Sequence, residues 1–214
     1  MKLEDLSVPD AKLVQIALKQ LGIYGGTTFG KPGAKTVAAY NKYLASFDAI
    51  NPKTDSPNEL PALLVKILKA EEGVKEVGGN NTGKRVREYQ AATWLDGTGW
   101  PWCAAFVCWG IREASKKMAL PFERPRTAGA WDFENWATDQ KLKLYKPRRG
   151  IKAGDIVIYD FSHIGVAIAD ESRGYVATIE GNTDGAGSRE GGGVYEKKRK
   201  TSSIRSHIRL ETKV

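Results

Sequence analysis

The residue best suited to chemistry is Cys103, which follows a Gly-Trp-Pro-Trp segment and opens an apolar stretch of helical length. If this stretch is a helix, Cys103 lies in its first turn. The unpaired backbone N–H groups and the positive end of the helix dipole in that turn both favour a thiolate. Because the thiolate is the nucleophilic form of cysteine, the sequence predicts a cysteine nucleophile.

Such a nucleophile needs a base, and histidine usually supplies it near neutral pH. The chain has two histidines. His163 opens a predicted strand, and its small neighbours leave room for a substrate. His207 stands between Arg205 and Arg209 in a pattern typical of an exposed basic edge. We therefore expect His163 to be the base.

The base in turn needs a group that orients its ring. The strand after His163 ends in Glu180-Gly181-Asn182, and antiparallel pairing brings this end close to the histidine. Glu180 and Asn182 share a face because they are two residues apart, so either side chain could accept a hydrogen bond from the imidazole. A simple polar turn over residues 180–185 is the alternative interpretation.

The second cysteine, Cys108, is predicted to be a buried packing residue. Five residues apart on one helix, the Cα atoms of Cys103 and Cys108 would be roughly 8 Å apart, which is too far for a disulfide. Two cysteines without clustered histidines also offer no zinc site.

The elements that must position these residues change type along the chain. Helical spacing covers residues 9–21, 35–47, 63–72, 85–94, 103–118 and 127–140, whereas short strands are predicted at 155–159, 163–168, 175–179, 193–197 and 207–210. Helices followed by consecutive strands predict an α+β fold with an antiparallel sheet of five to six strands. We expect a small helical domain over 1–50, a polar linker over 51–60 and a catalytic domain over 61–214.

Composition narrows the class of protein. The 214 residues include 41% hydrophobic residues and six Trp, which suffices for a packed core. The chain contains no apolar run long enough for a transmembrane helix, and the acidic N-terminus does not resemble a secretory signal. We therefore expect synthesis in the cytoplasm, with any export by another route.

The net charge of +8 favours an anionic partner such as nucleic acid, a membrane surface or an acidic wall polymer. The basic run 197–200 fits a solvated edge strand whose lysines block edge pairing. Because neither an aromatic-studded strand nor a recognition helix is evident, we expect no nucleic-acid partner.

Four segments in order resemble a known family. They are WCAAFV at 102–107, IKAGDIV at 151–157, SHIGV at 162–166 and IEGN at 179–182. This order is similar to that of the CHAP domain (cysteine, histidine-dependent amidohydrolase/peptidase), and the resemblance covers roughly residues 61–214.

The resemblance implies a papain-like α+β fold that cleaves amide bonds in peptidoglycan. It makes Cys103 the nucleophile, His163 the general base and Glu180 the third catalytic residue, with Asn182 as a further polar helper. It leaves open whether the bond is that of an N-acetylmuramoyl-L-alanine amidase or of a peptidoglycan endopeptidase.

The sequence indicates substrate-binding residues and metal ligands less clearly than it indicates the catalytic residues. Tyr89 and Trp102 could line the cleft, and core packing is the alternative interpretation of both. Some CHAP domains bind calcium just before the cysteine. Here Asp96 is the only carboxylate in that loop, and calcium takes six to eight oxygens. We therefore expect no cofactor and no metal site.

The segments 13–22, 29–30 and 35–40 resemble a small helical peptidoglycan-binding domain, with a helical hairpin that packs on the catalytic domain as the alternative. The leading hypothesis is a monomeric peptidoglycan hydrolase, a phage endolysin that acts on the bacterial cell wall or periplasm. Its basic surface also suits binding to an anionic cell wall or outer-membrane surface. The alternatives are a non-catalytic wall-binding or structural protein and an interbacterial amidase toxin.

Overall fold

The computed structural model describes residues 7–28, 33–50, 59–120, 122–146 and 150–210, with only the backbone described for Asp10 and residues 44–50. By its contacts the chain divides into two compact units, Met1–Lys53 and Thr54–Val214. Most of the predicted linker, 51–60, lies outside the described residues. Among the helices that are described, none is both long and apolar enough to cross a membrane.

The first unit contains helices α1 (Val8–Gln20) and α2 (Ala34–Ile50). Its small core consists of buried apolar residues from both helices and the turn between them, namely Leu18, Tyr24 and Ala39. The apolar spacing of α1 is misleading about its inner face, because Leu13 is 65% exposed while Gln15 is buried. Residues 29–30, which carry part of the resemblance to a wall-binding domain, lie outside the described residues.

In its described residues, the second unit contains four α-helices and one six-stranded sheet. The helices are α3 (Glu59–Lys69), α4 (Lys84–Gln90), α5 (Cys103–Ser115) and α6 (Asp132–Asp139). The strands are β1 (Lys143–Tyr145), β2 (Ile156–Tyr159), β3 (Ile164–Ala167), β4 (Tyr175–Thr183), β5 (Gly193–Lys200) and β6 (Ile204–Arg209). The predicted α+β fold, helices first and then an antiparallel sheet, is confirmed.

All neighbouring strands of the sheet are antiparallel, in the order β1-β6-β2-β3-β4-β5. Alternate residues of a strand face opposite sides. One side contributes to the main core with the helices, through residues such as Ile158, Val166 and Ile179. The other side carries a smaller cluster that includes Val157, Tyr159, Ala167 and Val176.

Helix α5 forms the centre of the main core. Ten of its thirteen residues are buried, as is expected of a helix that is apolar on nearly all sides. It contacts α3, α4, β3 and β4. This packing holds the first turn of α5 against the sheet.

Four strands differ clearly from the sequence prediction, and two of them are only longer or shifted: β5 continues from residue 197 to Lys200, and β6 begins at Ile204 rather than at residue 207. Strand β1 was not predicted, because its three residues are too few to show a period. Strand β4 extends beyond its predicted end at residue 179 to Thr183, with an irregularity in its pairing between Glu180 and Thr183. Residues 180–183 of the segment that could have been a polar turn are therefore part of a buried strand, and a turn begins only at Gly185.

Candidate active site

Cys103 is the first residue of α5, as the sequence predicts. The first N–H groups of a helix have no partner within it, so the thiol lies among unpaired donors at the positive helix end. Cys103 is 6% exposed, whereas Cys108 is completely buried. Both cysteines are free. Burial raises the pKa of the Cys108 thiol to about 12, so only Cys103 combines a reactive position with access.

His163 lies immediately before β3 and is completely buried. Its Nε2 atom is 3.0 Å from Oε2 of Glu180, which lies on the adjacent strand β4. The predicted pairing of these two side chains is thus present. The Nδ1 atom of His163 has no hydrogen bond within the described part of the chain.

Gly165 explains how Glu180 fits beside His163. A Cβ atom at residue 165 would lie 2.6 Å from Cγ of Glu180 and 3.0 Å from the carbonyl oxygen of Ile179. Only glycine therefore leaves room for the carboxylate side chain at this position. The space that we expected for a substrate is occupied by Glu180.

Cys103 and His163 interact electrostatically. Burial lowers the pKa of His163, but the interactions of the imidazole with the Cys103 thiol and the Glu180 carboxylate outweigh burial and raise it to about 9. The imidazole is thus bonded to a carboxylate through Nε2, and the Cys103 thiol contributes to the rise of its pKa. Hydrogen bonds of this kind are often long before substrate binds.

Glu180 is a buried anion with several donors. Its Oε1 accepts hydrogen bonds from the hydroxyls of Tyr159 (2.7 Å) and Thr178 (2.6 Å) and from Nε of Arg199 (2.9 Å). Its Oε2 accepts from Nη2 of Arg199 as well as from His163. Burial raises the pKa of Glu180, but Arg199 and His163 overcome this and lower it to about 2.

Asn182 has a different role from the one its spacing suggests. Its backbone has a φ of 57°, a left-handed conformation that Asn tolerates better than most residues. Its Oδ1 accepts a hydrogen bond from the backbone N–H of Trp102 at 2.8 Å, and its Nδ2 donates to Oδ1 of Asn81 and to the carbonyl of Gly191. Asn182 therefore fixes the turn before Cys103, and it has no hydrogen bond with His163.

Gly181 permits this contact between β4 and the start of α5. A Cβ atom there would lie 2.7 Å from side-chain atoms of both Phe106 and Trp102. The Glu-Gly-Asn sequence thus presents its carboxylate to the histidine and its amide to the nucleophile's turn, and its glycine allows the helix to approach.

Tyr89 and Trp102 do not line a cleft, which corrects our first interpretation of them. Both side chains are completely buried, with their rings stacked at 5.4 Å. The Tyr89 hydroxyl donates to Glu71 at 2.6 Å, and Nε1 of Trp102 donates to Glu76 at 2.8 Å. They form part of the core beneath Cys103.

The other histidine is also misread by the sequence pattern. His207 is completely buried, and its Nδ1 atom is 3.0 Å from Oδ2 of Asp155. Arg209 donates to both oxygens of Asp155. His207 shares a strand face with Arg205 and Arg209, but β6 lies between β1 and β2 and is not an edge strand, so the predicted basic edge is wrong.

Sequence reasoning missed Arg199 as a partner of Glu180. We had taken the basic run 197–200 as solvated. β5 is indeed an edge strand, but its alternation leaves Lys198 and Lys200 exposed and Lys197 and Arg199 partly buried. The alternation was the only sequence signal, and it could not show which strand face meets Glu180.

The loop before Cys103 does not fit a calcium site. Asp96 is exposed and is the only carboxylate in residues 95–101. Across the described ranges, no three His, Cys, Asp or Glu side chains come together in a way that could hold a metal ion.

The family model of the CHAP domain matches residues 95–182. The matched segment begins in the loop before Cys103 and ends at Asn182, so it contains Cys103, His163 and Glu180. A comparison with curated proteins found no match. The helices and antiparallel sheet of the second unit are consistent with the papain-like α+β fold, and residues 95–182 are identified as a CHAP domain.

Proposed function

We propose that the protein hydrolyses an amide bond in the peptide part of peptidoglycan, with Cys103 as nucleophile, His163 as acid and base, and Glu180 as the group that orients His163. The observation that carries this proposal is the position of His163. One ring nitrogen is bonded to a buried carboxylate, and the other has no hydrogen bond to any residue that the structure describes, in a ring whose pKa the Cys103 thiol raises.

In the proposed reaction, the Cys103 thiolate attacks the amide carbonyl carbon while His163 is protonated. Backbone N–H groups in the first turn of α5, including that of Cys103, would stabilise the oxyanion. The N–H of Trp102 is not available for this because it donates to Asn182.

The C–N bond then breaks as His163 gives its proton to the leaving amine, which leaves a thioester on Cys103. His163, now neutral, takes a proton from water, and the resulting hydroxide attacks the thioester carbonyl. The products are a carboxylic acid, which passes its proton to solvent or to the released amine, and the regenerated thiolate–imidazolium pair, so protons and electrons balance over the cycle.

The biological role that we propose is host lysis by a phage endolysin that acts on the bacterial wall. The net charge of +8 suits an anionic wall polymer, and the first unit is proposed to bind peptidoglycan. An amidase toxin used between bacteria would employ the same catalytic residues.

The test uses purified peptidoglycan and three proteins: the wild type, Cys103→Ala and the matched control Cys108→Ala. We expect turbidity loss with the wild type and the control, and none with Cys103→Ala. Mass spectrometry of the released fragments then distinguishes an amidase from an endopeptidase. Equal turbidity loss with and without Cys103, or binding to peptidoglycan without hydrolysis, would support a non-catalytic wall-binding protein instead.

A further inference from the structure

We propose that Arg199 is a positioning residue of the active site, which holds the Glu180 carboxylate in the orientation and ionised state that His163 requires. This inference deepens the proposed function and rests on it. Arg199 lies on β5, outside the segment that matches the CHAP domain.

The contact between the Arg199 and Glu180 side chains is bidentate. Nε of Arg199 donates to Oε1 of Glu180 at 2.9 Å, and Nη2 donates to Oε2. Guanidinium groups match carboxylates in this geometry, and such charge-assisted pairs are stronger than neutral hydrogen bonds. The Arg199 side chain is 14% exposed and that of Glu180 is completely buried, so little solvent screens the pair.

Other neighbours keep the guanidinium in place. Its carbon lies 5.3 Å from the ring centre of Tyr159 and 5.4 Å from that of Phe161. Because the ring of His163 stacks with both of these aromatic rings, the arginine and the histidine are held by the same pair of side chains. The position of Arg199 is therefore coupled to that of His163.

The ionisation of Glu180 depends on which groups face it. The groups that face it are the Tyr159 hydroxyl on β2, the His163 ring before β3 and the Arg199 guanidinium on β5. Cys103 lies beyond the histidine. Arg199 is the only permanent cation in this set. Without it, burial would favour transfer of the imidazolium proton to Glu180, and the carboxyl would then no longer accept a hydrogen bond from Nε2–H.

Arg199 also connects the site to the glycine-rich loop between β4 and β5. Its Nη1 atom donates to the carbonyl of Gly187 at 3.0 Å. Lys197 on the same strand face donates to the carbonyls of Asp184 and Gly185. A single side chain thus fixes both Glu180 and the loop that follows its strand.

The experiment compares Arg199→Gln and Arg199→Lys with a matched control, Arg209→Gln, which removes the corresponding arginine from Asp155. Two readouts are measured against pH: the initial rate of turbidity loss of purified peptidoglycan and the rate at which iodoacetamide alkylates Cys103. The second readout needs no peptidoglycan. Circular dichroism shows whether each variant is folded.

For Arg199→Gln we expect a fall in hydrolysis of about 10- to 100-fold, the size that a lost hydrogen bond to a charged group implies. The acid limbs of both profiles should move up by roughly one to three pH units, because the opposite charge that favours the Glu180 carboxylate is gone. Arg199→Lys keeps the charge but cannot reproduce the bidentate contact, so it should keep the acid limb and still lose rate. Arg209→Gln should leave both profiles unchanged.

The outcomes separate this inference from the proposed function. If wild type does not hydrolyse peptidoglycan, but Arg199→Gln still shifts the alkylation profile, the substrate is wrong and the role of Arg199 stands. If folded Arg199→Gln has the wild-type alkylation profile, Arg199 is not a positioning residue. Should Arg199→Gln fail to fold, Arg199→Lys decides, and a wild-type rate in that variant overturns the inference.

Discussion

The second unit contains two buried histidines, and each is paired with a carboxylate that also binds an arginine. His163 is 3.0 Å from Glu180, to which Arg199 is bonded. His207 is 3.0 Å from Asp155, which Arg209 contacts through both oxygens. The first group we call the catalytic cluster (His163, Glu180, Arg199) and the second the structural cluster (His207, Asp155, Arg209).

The two clusters differ in what surrounds the histidine ring. His207 lies inside β6 and stacks on Tyr145 of the neighbouring strand, with ring centres 4.8 Å apart. His163 lies just outside β3, close enough to Cys103 at the start of α5 for the thiol to raise its pKa. Buried histidine–carboxylate–arginine groups are therefore not in themselves a sign of catalysis. The nearby thiol is what distinguishes the catalytic cluster.

The sharpest test of this difference replaces each histidine by alanine. His163→Ala should lower peptidoglycan hydrolysis by about 10²- to 10⁴-fold, since it removes the general acid and base. His207→Ala should keep the rate and lose about 1–3 kcal/mol of unfolding free energy, because Asp155 loses a buried hydrogen bond. Turbidity assays and urea unfolding measure the two effects. A large loss of rate in folded His207→Ala would contradict the division into two clusters.

The carboxylates should separate the clusters in the same way. Glu180→Gln should lower the hydrolysis rate by about 10- to 100-fold, because the histidine loses a charge-assisted hydrogen bond. Asp155→Asn should instead leave the rate of the folded protein intact and cost about 3–5 kcal/mol, as breaking a buried ion pair does. The same two assays apply. If the two variants had the same profile of rate and stability, the comparison would fail.

A smaller effect is expected from Gly165→Ala, which acts on the catalytic cluster alone. The added methyl group would lie 2.6 Å from Cγ of Glu180 and close to backbone, so overpacking should cost about 1–3 kcal/mol and displace the carboxylate. Gly185→Ala is the control, since nothing lies within 4 Å of its added atom. Urea midpoints that coincide for the two variants would show that Gly165 does not make room for Glu180.

The smallest effect is on the pH dependence of stability. The pKa of His163 is raised from 6.5 to about 9. Its contribution to the free energy of unfolding is therefore fully present below pH 6.5 and is lost as the pH rises through about 9. The pKa of Glu180 is lowered from 4.5 to about 2. Its contribution to the free energy of unfolding is therefore present above pH 4.5 and is lost as the pH falls through about 2.

We therefore expect the difference in unfolding free energy between wild type and His163→Ala to shrink between pH 6.5 and 9, measured by urea unfolding at several pH values. A difference that stays constant over this range would mean that His163 is neutral in the folded protein.

Much of the fold and of the candidate site could be predicted from the sequence, because these features depend on residues that are close along the chain or on adjacent strands. The thiol at a helix start follows from a cysteine placed just before an apolar helical stretch. The order of helices and then strands follows from the change of period after Gly150, and antiparallel neighbours limit the partner of His163 to Glu180 or Asn182. Each of these inferences uses residues that are close along the chain or on adjacent strands.

The errors arise where sequence neighbours suggest a wrong environment. Arg205 and Arg209 suggested that His207 is exposed, but β6 is an inner strand of the sheet and His207 is completely buried. The aromatic rings of Tyr89 and Trp102 were consistent with either a cleft or a core, and the contacts with α5 place them in the core. Asn182 shares a strand with Glu180, yet its left-handed backbone directs its amide to Trp102.

By itself the sequence determined the residue types available for catalysis, the fold class and the helix that begins at Cys103, because these follow from side-chain chemistry and local periodicity. The tertiary structure alone decided that His207 is buried against Asp155, that Gly165 makes room for Glu180, and that Arg199 reaches this carboxylate from an edge strand. The physical reason is that burial and the register between strands set which charges meet, and neither quantity is written in any one segment of the chain.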